Sequence, residues 1–346
     1  MDHDRHEGRS PVSEMRAFIE ELPKAELHLH LEGTLEPELK FKLSDRNGID
    51  IPFSTVEEVK ASYVFHDLTS FLVGYYDGMS VLIEEEDFYD LAMAYFSKAH
   101  SQNIVYAEPF FDPQAHTSRG VPFEAVVTGI HRAQIDAEAK FGIKTNLIMC
   151  FLRDMSAESA METLEASLPY KDWIIGVGLD SDERGNPPMK FKDVFARARE
   201  EGYHLTMHCD VNQDNSVGHI WDAINEIGVE RIDHGINSLE DEALIAEIKR
   251  RDLALTVCPV SNRYVTGSLT VDEITTMLDR GMRVLINSDD PAYMQAYLNE
   301  NLVELAEDGN FTKEQVTQLA KNSFLAIWAS DEDKVKYLAM LEAYSG

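Results

Sequence analysis

Cysteine is scarce in this chain. Cys150, Cys209 and Cys258 are its three cysteines in 346 residues, each within or at the end of an apolar, strand-like run and without framework spacing, which excludes a disulfide scaffold and fits reduced, intracellular thiols. No run approaches the roughly 18 apolar residues that a membrane span needs, and the chain opens Met-Asp-His-Asp-Arg-His-Glu-Gly instead of with a basic then apolar leader. Cytoplasm is the expected location. Positive charge is also short: 31 Lys plus Arg stand against 62 Asp plus Glu, a formal charge of −31, so a polyanion is repelled over most of the surface. Nucleic acid and anionic membrane are therefore not expected partners. A small neutral ligand is still allowed, because a metal can dominate the potential inside a pocket.

What is present is a βα alternation. Eight short apolar runs, residues 25–30, 104–111, 144–152, 173–180, 204–210, 231–235, 254–259 and 283–290, alternate with amphipathic stretches such as 123–141 and 241–251. Eight parallel strands predict an α/β fold of the (β/α)8 barrel type. A doubly wound open sheet is the alternative, but no glycine-rich phosphate loop follows the first run. One long insertion, residues 35–103, separates the first two strands and carries helical patterns at 65–82 and 86–99, placing it over the barrel mouth. Residues 1–12 read as a mobile tail, and 13–346 as a single barrel domain with a helical end over 312–344. Self-association is left open.

The unusual ionisable residues gather at the C-terminal ends of the predicted strands. These are His28-Leu29-His30, His208-Cys209-Asp210, Asp233-His234 and Asp289-Asp290, and in a barrel enzyme such ends converge on one site. Side chains alternate along a strand, so His28 and His30 face one ion together. A lone His-x-His is more often structural. With His208 and Asp289 it becomes a nitrogen-rich, borderline-soft set that suits one zinc ion and keeps a position open for water. His234, one strand over, is placed to orient or deprotonate that water. The fourth strand ends Gly178-Leu179-Asp180 without a lysine to bridge two metals, which favours a single ion.

The run from Pro23 to Leu35, Pro-Lys-Ala-Glu-Leu-His-Leu-His-Leu-Glu-Gly-Thr-Leu, resembles the opening signature of the adenosine/adenine deaminase family of the amidohydrolase superfamily. The resemblance continues through Glu108-Pro109-Phe110-Phe111-Asp112-Pro113, Gly178-Leu179-Asp180-Ser181, Arg231-Ile232-Asp233-His234-Gly235, Thr256-Val257-Cys258-Pro259 and Asn287-Ser288-Asp289-Asp290-Pro291. It implies one Zn2+ on His28, His30, His208 and Asp289, with His234 beside the water and Asp290 on a purine ring nitrogen. Members acting on the nucleoside usually carry Asp where this chain has Glu32; Glu32 is expected to be a substrate-binding residue whose extra methylene pushes the carboxylate into space a ribose would occupy, which implies the free-base branch. The expected activity is hydrolytic deamination of adenine or an N6-substituted adenine to hypoxanthine. Adenosine deamination and an inactive purine-binding relative are the alternatives.

One departure stands out. The family's strand-five motif His-Ala-Gly-Glu ends in the general acid, whereas this chain reads His208-Cys209-Asp210-Val211. Three outcomes are open at this point: Asp210 replaces the acid, the substrate is a modified adenine with other demands, or the site is inert. Alternation puts Asp210 on the side of His208, so Asp210 is the expected acid. Asp214, farther along a polar loop, is the rival.

Overall fold

The computed structural model, which describes residues 11–65 and 67–345, has ten parallel strand segments that make eight staves. They are β1 (Lys24–Glu26), β2 (Ile104–Ala107) with β3 (Phe110–Phe111), β4 (Lys144–Thr145) with β5 (Leu147–Leu152), β6 (Ile174–Asp180), β7 (His204–Cys209), β8 (Arg231–His234), β9 (Ala254–Val257) and β10 (Arg283–Ile286). Sheet order is β1-β2-β4 and β10-β9-β8-β7-β6-β5-β3. Pro109 interrupts the second stave, because a residue without an N–H cannot donate to the ladder.

The ring closes between the first and last staves. His30 N donates to Asp289 O at 2.9 Å and Asp289 N to His28 O at 3.1 Å, while Phe110 N donates to Leu29 O at 2.8 Å on the other side. Below this junction the Asn287 carboxamide takes over from a ladder, its Oδ1 accepting from Leu27 N at 2.9 Å and His28 N at 3.2 Å. The expected strand 283–290 therefore ends early, at Ile286. Asp289 has φ +63°, in the left-handed region where a pleated strand cannot continue.

Most strand positions, β5 to β10 above all, are buried on both faces, as a helix-wrapped parallel barrel requires. The expected helix 123–141 is observed as Phe123–Phe141, started by Pro122 and stopped by Gly142 at φ +72°. That pairing of Pro and Gly follows their backbone preferences. Asp241 caps the helix Glu242–Arg250 by accepting from Ala243 N and Leu244 N. Residues 1–10 of the expected tail lie outside the described residues, and 11 and 12 open the first helix, Pro11–Glu21.

In the insertion, 65–82 resolves into the helix Leu68–Gly78 and a tight turn Met79–Val81, with residue 66 outside the described set, and 86–99 lies within Glu85–Ser101. Phe71 and Tyr75 of the former pack on Tyr293 with ring centroids 5.8 and 5.5 Å apart, which fastens the insertion across the barrel mouth. The C-terminal helical stretch is two helices, Lys313–Ala326 and Asp331–Ser345. Between them Trp328 N donates to Glu108 Oε1 at 2.6 Å.

That break is held by a buried ion pair. Arg231, 1% exposed, pairs with Glu108, donates to Ala326 O at 3.2 Å and lies 3.7 Å over the Trp328 ring. Removing the cation strands Glu108 in the core, and losing one member of a buried pair costs ~3–5 kcal/mol. Arg231→Met is expected to lower the free energy of chemical unfolding by that amount; a loss below about 1 kcal/mol rejects the assignment.

Candidate active site

Four ligand atoms converge at the C-terminal end of the barrel. His28 Nε2 lies 3.2 Å from Asp289 Oδ1, His30 Nε2 lies 3.3 Å from the same oxygen, and His30 Nε2 lies 3.2 Å from His208 Nε2. All four atoms fall within 4.8 Å of one another in buried surroundings. Metal–ligand bonds of about 2.0–2.1 Å in tetrahedral array put ligand atoms roughly 3.3–3.4 Å apart. The three short separations match those edges.

Each ring is turned by a partner on its other nitrogen. His28 Nδ1 lies 3.0 Å from Thr256 O, which can only accept, so that nitrogen carries the hydrogen and Nε2 is free to ligate. His30 Nδ1 lies 3.3 Å from Asp180 Oδ2, and His208 Nδ1 lies 3.4 Å from Asp233 Oδ2. Such carboxylates orient metal-binding imidazoles and raise their basicity. Asp233 is itself fixed, accepting from Thr206 Oγ1 and Thr256 Oγ1 at 2.8 Å each. Burial alone would raise its pKa, but the His208 imidazole and the hydroxyls outweigh it and hold Asp233 below the usual carboxylate range.

His234 stands beside the cluster, with Nε2 3.2 Å from Asp210 Oδ1 and 3.9 Å from Asp289 Oδ2. Its φ is +62°, an uncommon backbone state that turns it off the end of β8. Burial, aided by His28, keeps its ring neutral by pushing its pKa well down. Burial and then Glu183 push the Asp210 carboxyl well up. Asp210 is anchored through its backbone, N donating to Glu183 Oε2 at 2.8 Å. Glu183 also bonds His219 Nδ1 at 2.5 Å and faces Arg153 at 3.6 Å. Val211 lines the same cavity as Asp210, whereas Asp214 is exposed on its loop.

Asp290 follows Asp289 into the cavity, 4% exposed and with Oδ1 unpartnered. Gly33 packs against it so tightly that a Cβ would fall 2.1 Å from Asp290 Oδ1, so only glycine fits there. Glu32 is not in the cavity wall. Its Oε1 accepts from Asp112 N at 3.0 Å and from His116 Nε2 at 2.8 Å, placing it behind Asp112.

The cavity holds about 730 Å³ including the space at its mouth, within the range of small-molecule sites. Insertion residues Phe65, Leu68, Phe71 and Leu72 form an apolar roof, and no Lys or Arg is among the described lining residues. A phosphorylated ligand would find no counter-charge there. Asp180 and Asp233 were read in the sequence only as strand ends, and Asp112, Thr256 and the Glu183–His219–Arg153 group drew no role. The signal for Asp180 and Asp233 was position, since each ends the strand beside β7.

The adenosine deaminase family profile matches residues 23–344. An uncharacterized deaminase of Schizosaccharomyces pombe is 55% identical, over 96% of this chain and 99% of its own. An adenine deaminase of Hahella chejuensis is 46% identical, over 95% and 99% respectively. Among solved structures, the adenine deaminase of Arthrobacter aurescens superposes with a TM-score of 0.90 at 42% identity, covering 93% of this chain and 99% of that one. No helix of the described residues is long and apolar enough to cross a membrane. Strand-end histidines, a closed barrel and these likenesses agree, and the chain belongs to the adenosine deaminase family.

Proposed function

We propose that this protein is a cytoplasmic, zinc-dependent aminohydrolase that converts adenine or an N6-substituted adenine to hypoxanthine, releasing ammonia or an amine. The observation that carries the reading is the set of 3.2–3.3 Å separations among His28, His30, His208 and Asp289, open toward a cavity without Lys or Arg. These four residues would hold the zinc ion, which would supply a water acidified to a pKa of about 7 and so a nucleophile at neutral pH.

The chain's own groups divide the rest of the work. Asp290 accepts from a ring nitrogen and orients the purine. His234, neutral and 3.2 Å from Asp210, takes the proton from the attacking water and returns it to the departing amine. Asp210 delivers a proton to N1 as the C6–O bond forms, so no negative charge accumulates on the ring. The C6–N6 bond then breaks as the remaining C6–OH proton returns to the Asp210 carboxylate, so the acid is regenerated and purine amine plus water gives hypoxanthine plus amine.

An ultraviolet assay of zinc-loaded protein on adenine, N6-alkyladenines and adenosine tests the reading. The base is expected to exceed the nucleoside in kcat/KM by at least about 10²-fold; equal turnover points to nucleoside deamination, and binding without turnover to an inert relative. His30→Ala or Asp289→Ala should lose metal and activity together, with one zinc per native chain by elemental analysis. Two equivalents of metal in fully active protein would contradict the single site. His234→Asn and Asp210→Asn should each keep zinc while lowering turnover by roughly 10²-fold or more, the range of a positioned acid or base. Native-like turnover by Asp210→Asn removes it from the reaction.

A further inference from the structure

Asp112 is a buried acid that stands beside Asp180 and His30. It directly precedes the short helix Pro113–Thr117, where an aspartate normally folds back to accept from the first backbone N–H groups, yet its side chain makes no capping bond. Instead it lines the cavity, is 1% exposed, and leaves Oδ1 without a partner among the described residues. A desolvated, unmatched acceptor is costly, so its position is explained if a ligand supplies the donor.

The neighbouring carboxylates are committed elsewhere. Asp180 faces His30 at 3.3 Å, Asp289 belongs to the ligand cluster, and Asp210 meets His234. Glu32, from beneath, accepts the Asp112 N–H at 3.0 Å and fixes the backbone from which the side chain projects. Among the described groups facing the cavity, Asp112, Asp180 and Asp290 each leave one oxygen without a protein partner, and of these Asp180 already spends its other oxygen on His30.

Resting on the purine-deaminase reading, we propose that Asp112 accepts the imidazole-ring N–H of a free purine base and is a specificity-determining residue of this enzyme. An unsubstituted purine carries one such N–H, on N9 or N7. A nucleoside has replaced it with a glycosidic bond, leaving Asp112 unmatched in a dry wall, and sites built around a buried hydrogen bond reject ligands lacking it by factors up to ~10⁴–10⁵. Glu32 then acts on selectivity through Asp112, by holding its backbone, and not by touching the substrate.

The test compares adenine with 9-methyladenine, which removes the N9–H and the N9–H/N7–H exchange with little added bulk, on zinc-loaded full-length protein. Asp112→Leu should lower kcat/KM for adenine by roughly 10²-fold or more while leaving 9-methyladenine within about threefold, collapsing the ratio between them. Asp112→Asn keeps volume and one acceptor oxygen, so it should fold and fall between the two, with a drop of about tenfold on adenine. Equilibrium binding of hypoxanthine and 9-methylhypoxanthine, which needs no turnover, should show the same collapse. Equal losses on both members of each pair, or no loss on adenine, overturn the inference alone. A native protein that neither deaminates adenine nor binds hypoxanthine overturns the functional reading and the inference with it.

Discussion

Everything at the mouth of this barrel depends on holding three imidazole nitrogens and one carboxylate oxygen at mutual distances that repel unless a cation lies among them. His30 Nε2 and His208 Nε2 face each other at 3.2 Å, a contact that two neutral rings with their hydrogens on Nδ1 would make lone pair to lone pair. His28 and His208 spend Nδ1 on Thr256 O and Asp233, and His30 turns its Nδ1 to Asp180. Donation on the outer nitrogen leaves the inner one as a lone pair. A flexible loop would relax such a cluster by rotating the rings apart. The barrel prevents it, because His28 and His30 leave one stave, Asp289 is bonded to that stave through its backbone, and His208 is fixed on the far side of the ring by the ladder between β7 and β8.

The same constraint explains the departures from regular strand geometry. Asp289 must be both a ligand and the bridge that closes the ring, and it does so at φ +63°; His234 reaches the cavity at φ +62°. Residues of this kind cost about 1–3 kcal/mol each and persist where the surroundings over-determine them. Here the surroundings are the Asn287 carboxamide below Asp289 and the Cys209 O···H–N Gly235 bond at 3.1 Å beside His234.

How much of this was legible in the sequence follows from which forces act locally. The barrel was readable because parallel strands buried on both faces are continuous apolar runs, and Leu147–Leu152 or Ile174–Asp180 look like little else. His28 and His30 could be paired on one face from alternation alone. The end of the last strand could not be placed, since Asp289's backbone state is set by a partner more than 250 residues away. Glu32 shows the other limit. A sequence resemblance can attach a residue to a substrate preference without saying whether it touches the substrate, and here Asp112 stands between Glu32 and the cavity. Asp112 itself was invisible because a residue before Pro113 reads as a helix cap; only its unused capping geometry separates it from one.

The strand-five departure is also a matter of what pins the backbone. A His-Ala-Gly-Glu turn places its acid on the third residue after the ligand, and glycine in that turn offers no side chain of its own. In this chain Asp210 occupies the glycine position, and its N–H is held by Glu183 at 2.8 Å while Arg153 Nη1 holds His208 O at 2.9 Å. Glu183 in turn is locked between His219 and Arg153. With the main chain clamped on both sides of Cys209, the shorter aspartate side chain starts nearer the cavity and reaches His234 at 3.2 Å. Val211, one residue on, then contributes apolar wall where a carboxylate would otherwise stand. An apolar neighbour strengthens every remaining electrostatic contact by lowering the local dielectric. Asp210 beside His234 therefore sits in a drier environment than a longer, solvent-reaching acid would, and a dry carboxyl resists ionisation. Shifted by one position and backed by a buried clamp and an apolar filler, a carboxyl still stands at the cavity wall although the motif that normally marks it is gone.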